Sequence, residues 1–132
     1  MRFVLDTHIW IWSLLTPDRL SSDVRAVLCD PQPKLNLSAI SVWETLVLIR
    51  KGRLRVTSTS AQTWVTEALS RSPVCEVPVS FEVVMASEQL TFDHWDPADR
   101  FIAATTRVLD ATLITADERL IACPGLNVLP NQ

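Results

Sequence analysis

The chain is 132 residues long, 48% hydrophobic and 20% charged, enough apolar material to fill the core of one ordinary domain and too much for an intrinsically disordered chain. A formal net charge of −3 argues neither for nor against a nucleic-acid partner. The cations are lopsided, ten Arg against only Lys34 and Lys51, a bias that suits bidentate contact with phosphate as well as ordinary surface pairing.

The chain opens on MRFVLDTHIWIWSLLTP, whose apolar stretch is interrupted by Asp6 and His8 and is followed by no small-residue cleavage site, so it does not read as a signal peptide. Arg2 to Asp6 reads instead as a short buried strand, and Thr7 to about Leu15 as a helix ended by Pro17. Ser21 or Ser22 caps a second helix to about Cys29, stopped by Asp30-Pro31-Gln32-Pro33. A second strand, Leu35 to Ser38, leads into a long helix from Ala39 to Lys51, capped by Ser38 and stopped by Gly52. Ser58 or Ser60 opens a helix over Ala61 to Ser70, followed by a strand from Val74 to Val79 and a Ser80-capped helix to about Leu90. Asp96-Pro97 begins a helix to about Leu109, with proline at the favoured first position. Leu113 to Thr115 is a strand, Asp117 to Ala122 a short helix, and Leu126 to Leu129 a last strand. Short apolar strands alternating with helices imply a parallel sheet covered on both faces, so residues 1–132 are expected to form one α/β/α domain. No apolar run approaches the roughly 18 residues of a membrane span, and a soluble, cytoplasmic protein is expected. Cys29, Cys75 and Cys123 are odd in number and widely spaced, the pattern of free thiols in a reducing compartment rather than of a zinc site or disulfide framework.

Four carboxylates carry the functional reading. Open parallel sheets bind ligands at the carboxyl ends of their strands, where Asp6 and Asp117 both fall. Each alone could be a helix cap; together they point to a shared site. Glu44 is the only charge before Arg50 in a helix, Ala39 to Ile49, that is apolar nearly all round and is therefore expected to be buried. A buried carboxylate there needs a cation or a strong hydrogen-bond network. Asp99 falls in a first helical turn beside an apolar face, and its neighbour Asp96 reads as the N-cap. Two unit charges about 5 Å apart repel by roughly 3 kcal/mol at an effective dielectric near 20, so four carboxylates need positive charge among them. Oxygen-only ligands suit Mg²⁺ or Mn²⁺, ions that activate water and offset charge in phosphodiester hydrolysis.

Three blocks, FVLDTHIWIW, LSAISVWETLVLIRKGRL and HWDPADRFIAATTRVLDATLITADERL, together resemble the PIN-domain ribonucleases, in particular the VapC-like toxins of bacterial toxin–antitoxin pairs. The resemblance spans nearly the whole chain. It implies a metal-dependent endoribonuclease with Asp6, Glu44, Asp99 and Asp117 as its metal-binding acidic set, Mg²⁺ as cofactor with Mn²⁺ able to substitute, and RNA as substrate. It further implies a three-layer fold around a mainly parallel sheet of about five strands, a homodimer and a cognate antitoxin. The sequence departs from the family at Trp95-Asp96-Pro97-Ala98, where relatives tend to carry Arg before the Asp and Phe in place of Ala98.

Arg50, Lys51, Arg53 and Arg55 form the one dense basic run, placed to grip an RNA backbone or simply to complement a helix terminus. Trp10, Trp12, Trp43 and Trp64 read as core or dimer interface, and Trp95 as the residue placed to touch a base. His8 and His94 receive no acid–base role, while Thr7 and Thr115 are placed to bond a metal-bound water. Rival readings are a receiver-like phosphoacceptor domain, which the positions of Lys34 and Lys51 disfavour, a catalytically silent α/β binding module, and a PIN-like nuclease acting in RNA processing or on DNA.

Overall fold

A computed structural model describes residues 1–91 and 96–132. Five parallel strands, β1 (Arg2–Leu5), β2 (Lys34–Ser38), β3 (Val74–Val77), β4 (Thr112–Thr115) and β5 (Val128–Pro130), form one sheet in the order β3-β2-β1-β4-β5. The central strand β1 pairs Phe3 with Leu35 on one side and with Thr112 on the other. Alternation along β1 then divides the core in two. Phe3 and Leu5 join Ile9, Trp10 and Leu20 on one face of the sheet, beneath α1 (Thr7–Leu15), α2 (Ser22–Cys29) and α4 (Ala61–Arg71). Val4 points the other way and joins Val83, Ile102 and Leu120 from α5 (Phe81–Ser87), α6 (Pro97–Val108) and α7 (Glu118–Ile121). The result is the three-layer α/β/α arrangement, with β3 and β5 as the sheet's edges.

The caps form as their residue types dictate. Ser21, Ser38, Ser60 and Ser80 each accept a backbone N–H at a helix start, and Asp6, Asp96 and Asp117 do so for α1, α6 and α7. Gly52, with φ of +72°, terminates α3 (Ala39–Arg50), because the left-handed conformation there carries no side-chain penalty. Several boundaries differ from expectation. The last strand starts at Val128 rather than Leu126, since the chain first turns through Gly125 at φ +74°. The helix α5 stops at Ser87, three residues short of Leu90, and β3 stops at Val77, before Pro78, which has no N–H for the ladder. A 3₁₀ turn over Pro17–Arg19 was not legible in the sequence.

The larger correction concerns α3. Its apolar residues do not bury the helix: Trp43 is 54% exposed, and the residues fully enclosed are Ser41 and Thr45. Both hydroxyls are satisfied inside, Ser41 Oγ against Thr7 Oγ1 at 2.9 Å and Thr45 Oγ1 by donating to the Ser41 carbonyl at 2.8 Å. The polar stripe of α3 thus faces inward, and it carries Glu44 toward the sheet edge.

Candidate active site

Asp6 leaves the end of β1 and is buried, with its backbone N–H donated to the Ile114 carbonyl of β4 (3.0 Å). Both carboxylate oxygens are fixed: Oδ1 accepts the Thr7 N–H at 2.8 Å, and Oδ2 accepts the Thr115 hydroxyl at 2.6 Å. Thr115 Oγ1 also accepts the Asp117 N–H at 3.0 Å, which ties the end of β4 to the start of α7. Asp117 Oδ1 in turn accepts the Arg119 N–H at 2.8 Å as the α7 cap.

The Thr7 hydroxyl donates to Glu44 Oε1. With Glu44 ionised, the single Thr7 proton goes to the carboxylate and Thr7 accepts from Ser41, so that Ser41, Thr7 and Glu44 form a directed chain. Asp99 lies buried in the first turn of α6. Asp96 caps that helix through the Ala98 N–H (3.0 Å) and is itself exposed. One oxygen each from Glu44, Asp96 and Asp99 lies within 4.8 Å of the other two.

These groups open into one cavity of about 380 Å³, lined by Asp6, His8, Trp12, Glu44, Asp96, Asp99, Ala116 and Asp117. Its electrostatics follow from burial and crowding. Burial holds the Glu44 carboxyl up at about 7, with Asp6, Asp99 and Asp96 adding repulsion and the Thr7 hydrogen bond opposing them. Burial likewise raises Asp6, against the Thr115 and Thr7 hydrogen bonds and the charge of His8. A site that makes two carboxylates hard to ionise is one that a cation would relieve. The three groups whose ligand atoms lie close together, Glu44, Asp96 and Asp99, offer oxygen alone, the set preferred by a hard divalent ion.

A family model described as PIN domain matches residues 3–126. The chain belongs to the PIN-domain family, a family of nucleases. Compared by sequence with curated proteins, the chain matches none. Among solved structures, this PIN domain is similar to VapBC2 from Rickettsia felis bound to a DNA fragment from its promoter, with a TM-score of 0.75, 17% identity and 98% of each chain covered. It is also similar to FitAcB from Neisseria gonorrhoeae (TM-score 0.68, 23% identity, covering 98% of this chain and 97% of that one). A toxin–antitoxin complex from Klebsiella pneumoniae matches at TM-score 0.68 and 21% identity over the same shares. At these identities the likeness establishes the fold.

The PIN fold brings Asp6, Glu44, Asp99 and Asp117 to one cavity. It does not bring Arg50, Lys51, Arg53 or Arg55 there; all four are exposed at and beyond the far end of α3. Thr7 and Thr115 both hold carboxylates, Glu44 and Asp6 respectively. The tryptophans separate: Trp10 is core and Trp64 stacks edge-on against it, Trp43 is exposed, and Trp12 lines the acidic cavity. His94 and Trp95 lie outside the described residues. Sequence reasoning missed Asp96, Ser41, His8 and Trp12 as parts of the site. The spacing of His8 and Trp12, four apart in the helix that Asp6 caps, was the available signal for the last two.

Proposed function

We propose that this PIN domain is a Mg²⁺-dependent endoribonuclease, with Mn²⁺ able to substitute, and that it acts as the toxin of a toxin–antitoxin pair. The observation that carries the reading is the oxygen-only set of Glu44, Asp96 and Asp99 within 4.8 Å of one another, in a cavity shared with Asp6 and Asp117. Residues 1–132 act as one domain in this reading, in the cytoplasm. Asp6, Glu44, Asp99 and Asp117 would hold the ion, with Asp96 joining them. Bound there, the ion supplies an activated water and offsets charge gathering on the phosphate. The chain's own part is positioning. Thr115 and the Thr7 N–H fix Asp6, the Thr7–Ser41 pair fixes Glu44, and the first turn of α6 fixes Asp99. Carboxylates fixed in this way need little reorganisation when the reaction proceeds. The run Arg50, Lys51, Arg53, Arg55 contacts RNA phosphates away from the cleaved bond.

Two partners follow. Similarity to toxin–antitoxin complexes supports a cognate antitoxin, whose apolar segment would rest near α1, where Leu15 is exposed and an apolar cavity of about 280 Å³ opens beside Trp10 and Leu14. The antitoxin silences the nuclease by placing an Arg among the acidic groups, where bidentate pairing is strong. A homodimer is supported by the outward face of α5, where Phe81 is 88% and Met85 65% exposed.

The test is cleavage of single-stranded RNA by the purified chain. Activity should require Mg²⁺ or Mn²⁺, vanish with chelator, and fall at least about a hundredfold in Asp99→Asn, a loss of about 2.7 kcal/mol of transition-state stabilisation. Asp99→Asn protein that cleaves at the wild-type rate would overturn the assignment.

A further inference from the structure

The acidic cavity has a wall that the metal site does not use. His8 and Trp12, one helical turn apart on α1, both line it, with ring centroids 5.9 Å apart at 55°. On Trp12 rests the guanidinium of Arg19, 4.1 Å from the ring centroid. That distance places Arg19 in cation–π contact, with its planar donor set already oriented.

The turn that carries Arg19 is anchored. Asn131 Nδ2 donates to the Arg19 carbonyl (2.9 Å), and Asn131 Oδ1 accepts the Ser21 N–H (2.6 Å). The Asn131 N–H is itself donated to the carbonyl of Thr115 (2.8 Å), the residue whose hydroxyl holds Asp6. One asparagine therefore fastens the Arg19 turn to the strand end that positions the acidic set. A cation stacked on an indole that lines the cavity, on a turn tied to the strand end whose hydroxyl holds Asp6, keeps a set place on Trp12.

We propose that His8, Trp12 and Arg19 form a binding subsite for one nucleotide of single-stranded RNA, next to the phosphodiester at the acidic cluster. Arg19 binds a phosphate oxygen pair through its free edge, and the Trp12–His8 surface receives the base. Carboxylates repel the phosphates that flank the cleaved one, and the basic run at the end of α3 does not line the cavity. The inference rests on the nuclease reading above and assigns its substrate contact. Trp12 is a positioning residue for Arg19 as well as a surface for the base.

The experiment has two arms on the full-length chain. Steady-state cleavage of a fluorescein-labelled single-stranded RNA with Mn²⁺ gives kcat and KM, and anisotropy with the same RNA in the Asp99→Asn background gives Kd against salt. Arg19→Ala, on an exposed turn, and Trp12→Leu should each raise KM about tenfold with kcat within about twofold. Both should flatten the slope of log affinity against log salt by about 0.7, the value of one phosphate contact on a single strand. Trp12→Phe should recover most of the lost affinity, which a merely structural role for Trp12 does not require. Wild-type cleavage with KM and salt slope unmoved by Arg19→Ala overturns the subsite alone, as does a fall in kcat with KM unchanged. RNA binding that depends on Arg19, with no cleavage by the wild type, overturns the nuclease reading and leaves the subsite standing. Neither binding nor cleavage overturns both.

Discussion

Helix α1 separates two concavities of opposite character. Toward one side it presents His8 and Trp12 to a cavity walled by five carboxylates, with Asp6 at its N-cap. Toward the other it presents Trp10, Ser13 and Leu14 to an apolar cavity shared with Leu20, Leu28 and Leu35. Trp10 and Trp12 are two residues apart and have opposite fates, because a step of two along a helix rotates the side chain about 200°. Trp10 is 1% exposed, donates its indole N–H to Ser72 Oγ at 3.0 Å, and meets Trp64 edge-on at 6.4 Å. Trp12 has Arg19 on its ring and a cavity beside it. Identical side chains on one short helix thus serve as core and as recognition surface, and only the helical phase decides which.

The sharpest way to test that division is to remove the core tryptophan. Trp10→Ala should lower unfolding stability by about 3–5 kcal/mol, the usual cost of emptying a large aromatic site, measured by urea denaturation. Mn²⁺ affinity of the folded fraction should stay within about twofold. A loss below about 1 kcal/mol would move the apolar cavity from core to open surface.

A second test reads the acidic side by pH. Glu44 sits at about 7 when folded, against an ordinary 4.5, so the folded chain binds an extra proton between those values. The stability this contributes is full below about pH 4.5 and lost as pH rises through about 7; Asp6 acts in the same direction. In chelator, the melting temperature should therefore fall between pH 5 and pH 8. With Mn²⁺ the fall should shrink or reverse, because bound carboxylates must be ionised and metal affinity rises with pH. A melting profile in chelator that climbs over this range contradicts the charge crowding described above.

The smallest effect belongs to the basic run outside both cavities. Arg53→Ala combined with Arg55→Ala should flatten the salt dependence of RNA binding by about 1.4 units, about 0.7 for each contact, and leave kcat nearly unchanged. An unmoved slope returns the run to the role of a solvated helix terminus.

What was readable in the sequence was local. Ser38, Ser80 and Asp96 announce helix starts because a side-chain oxygen three or fewer residues ahead of orphan N–H groups has a fixed use. Asp6 and Asp117 were readable as neighbours because strand ends in a parallel sheet share one edge. The orientation of α3 was not readable. A helix apolar nearly all round gives no phase, and the inward choice of Ser41 and Thr45 depends on Thr7, 34 residues before Ser41 in the chain. Asp96 was legible as a cap and not as a member of the acidic group, since capping engages Oδ1 and says nothing of Oδ2. Arg19 escaped notice because its place on Trp12 depends on a 3₁₀ turn and on Asn131, 112 residues away.

The two margins of the sheet are guarded by residues that cannot donate a backbone hydrogen bond. The outer strand β3 runs between Pro73 and Pro78, and β5 ends in Pro130. A passing extended chain would find only short ladders there, four residues in β3 and three in β5, which disfavours growth of the sheet by strand addition. Short edge strands hemmed by proline give a 48% hydrophobic chain little exposed ladder on which a second chain could extend the sheet.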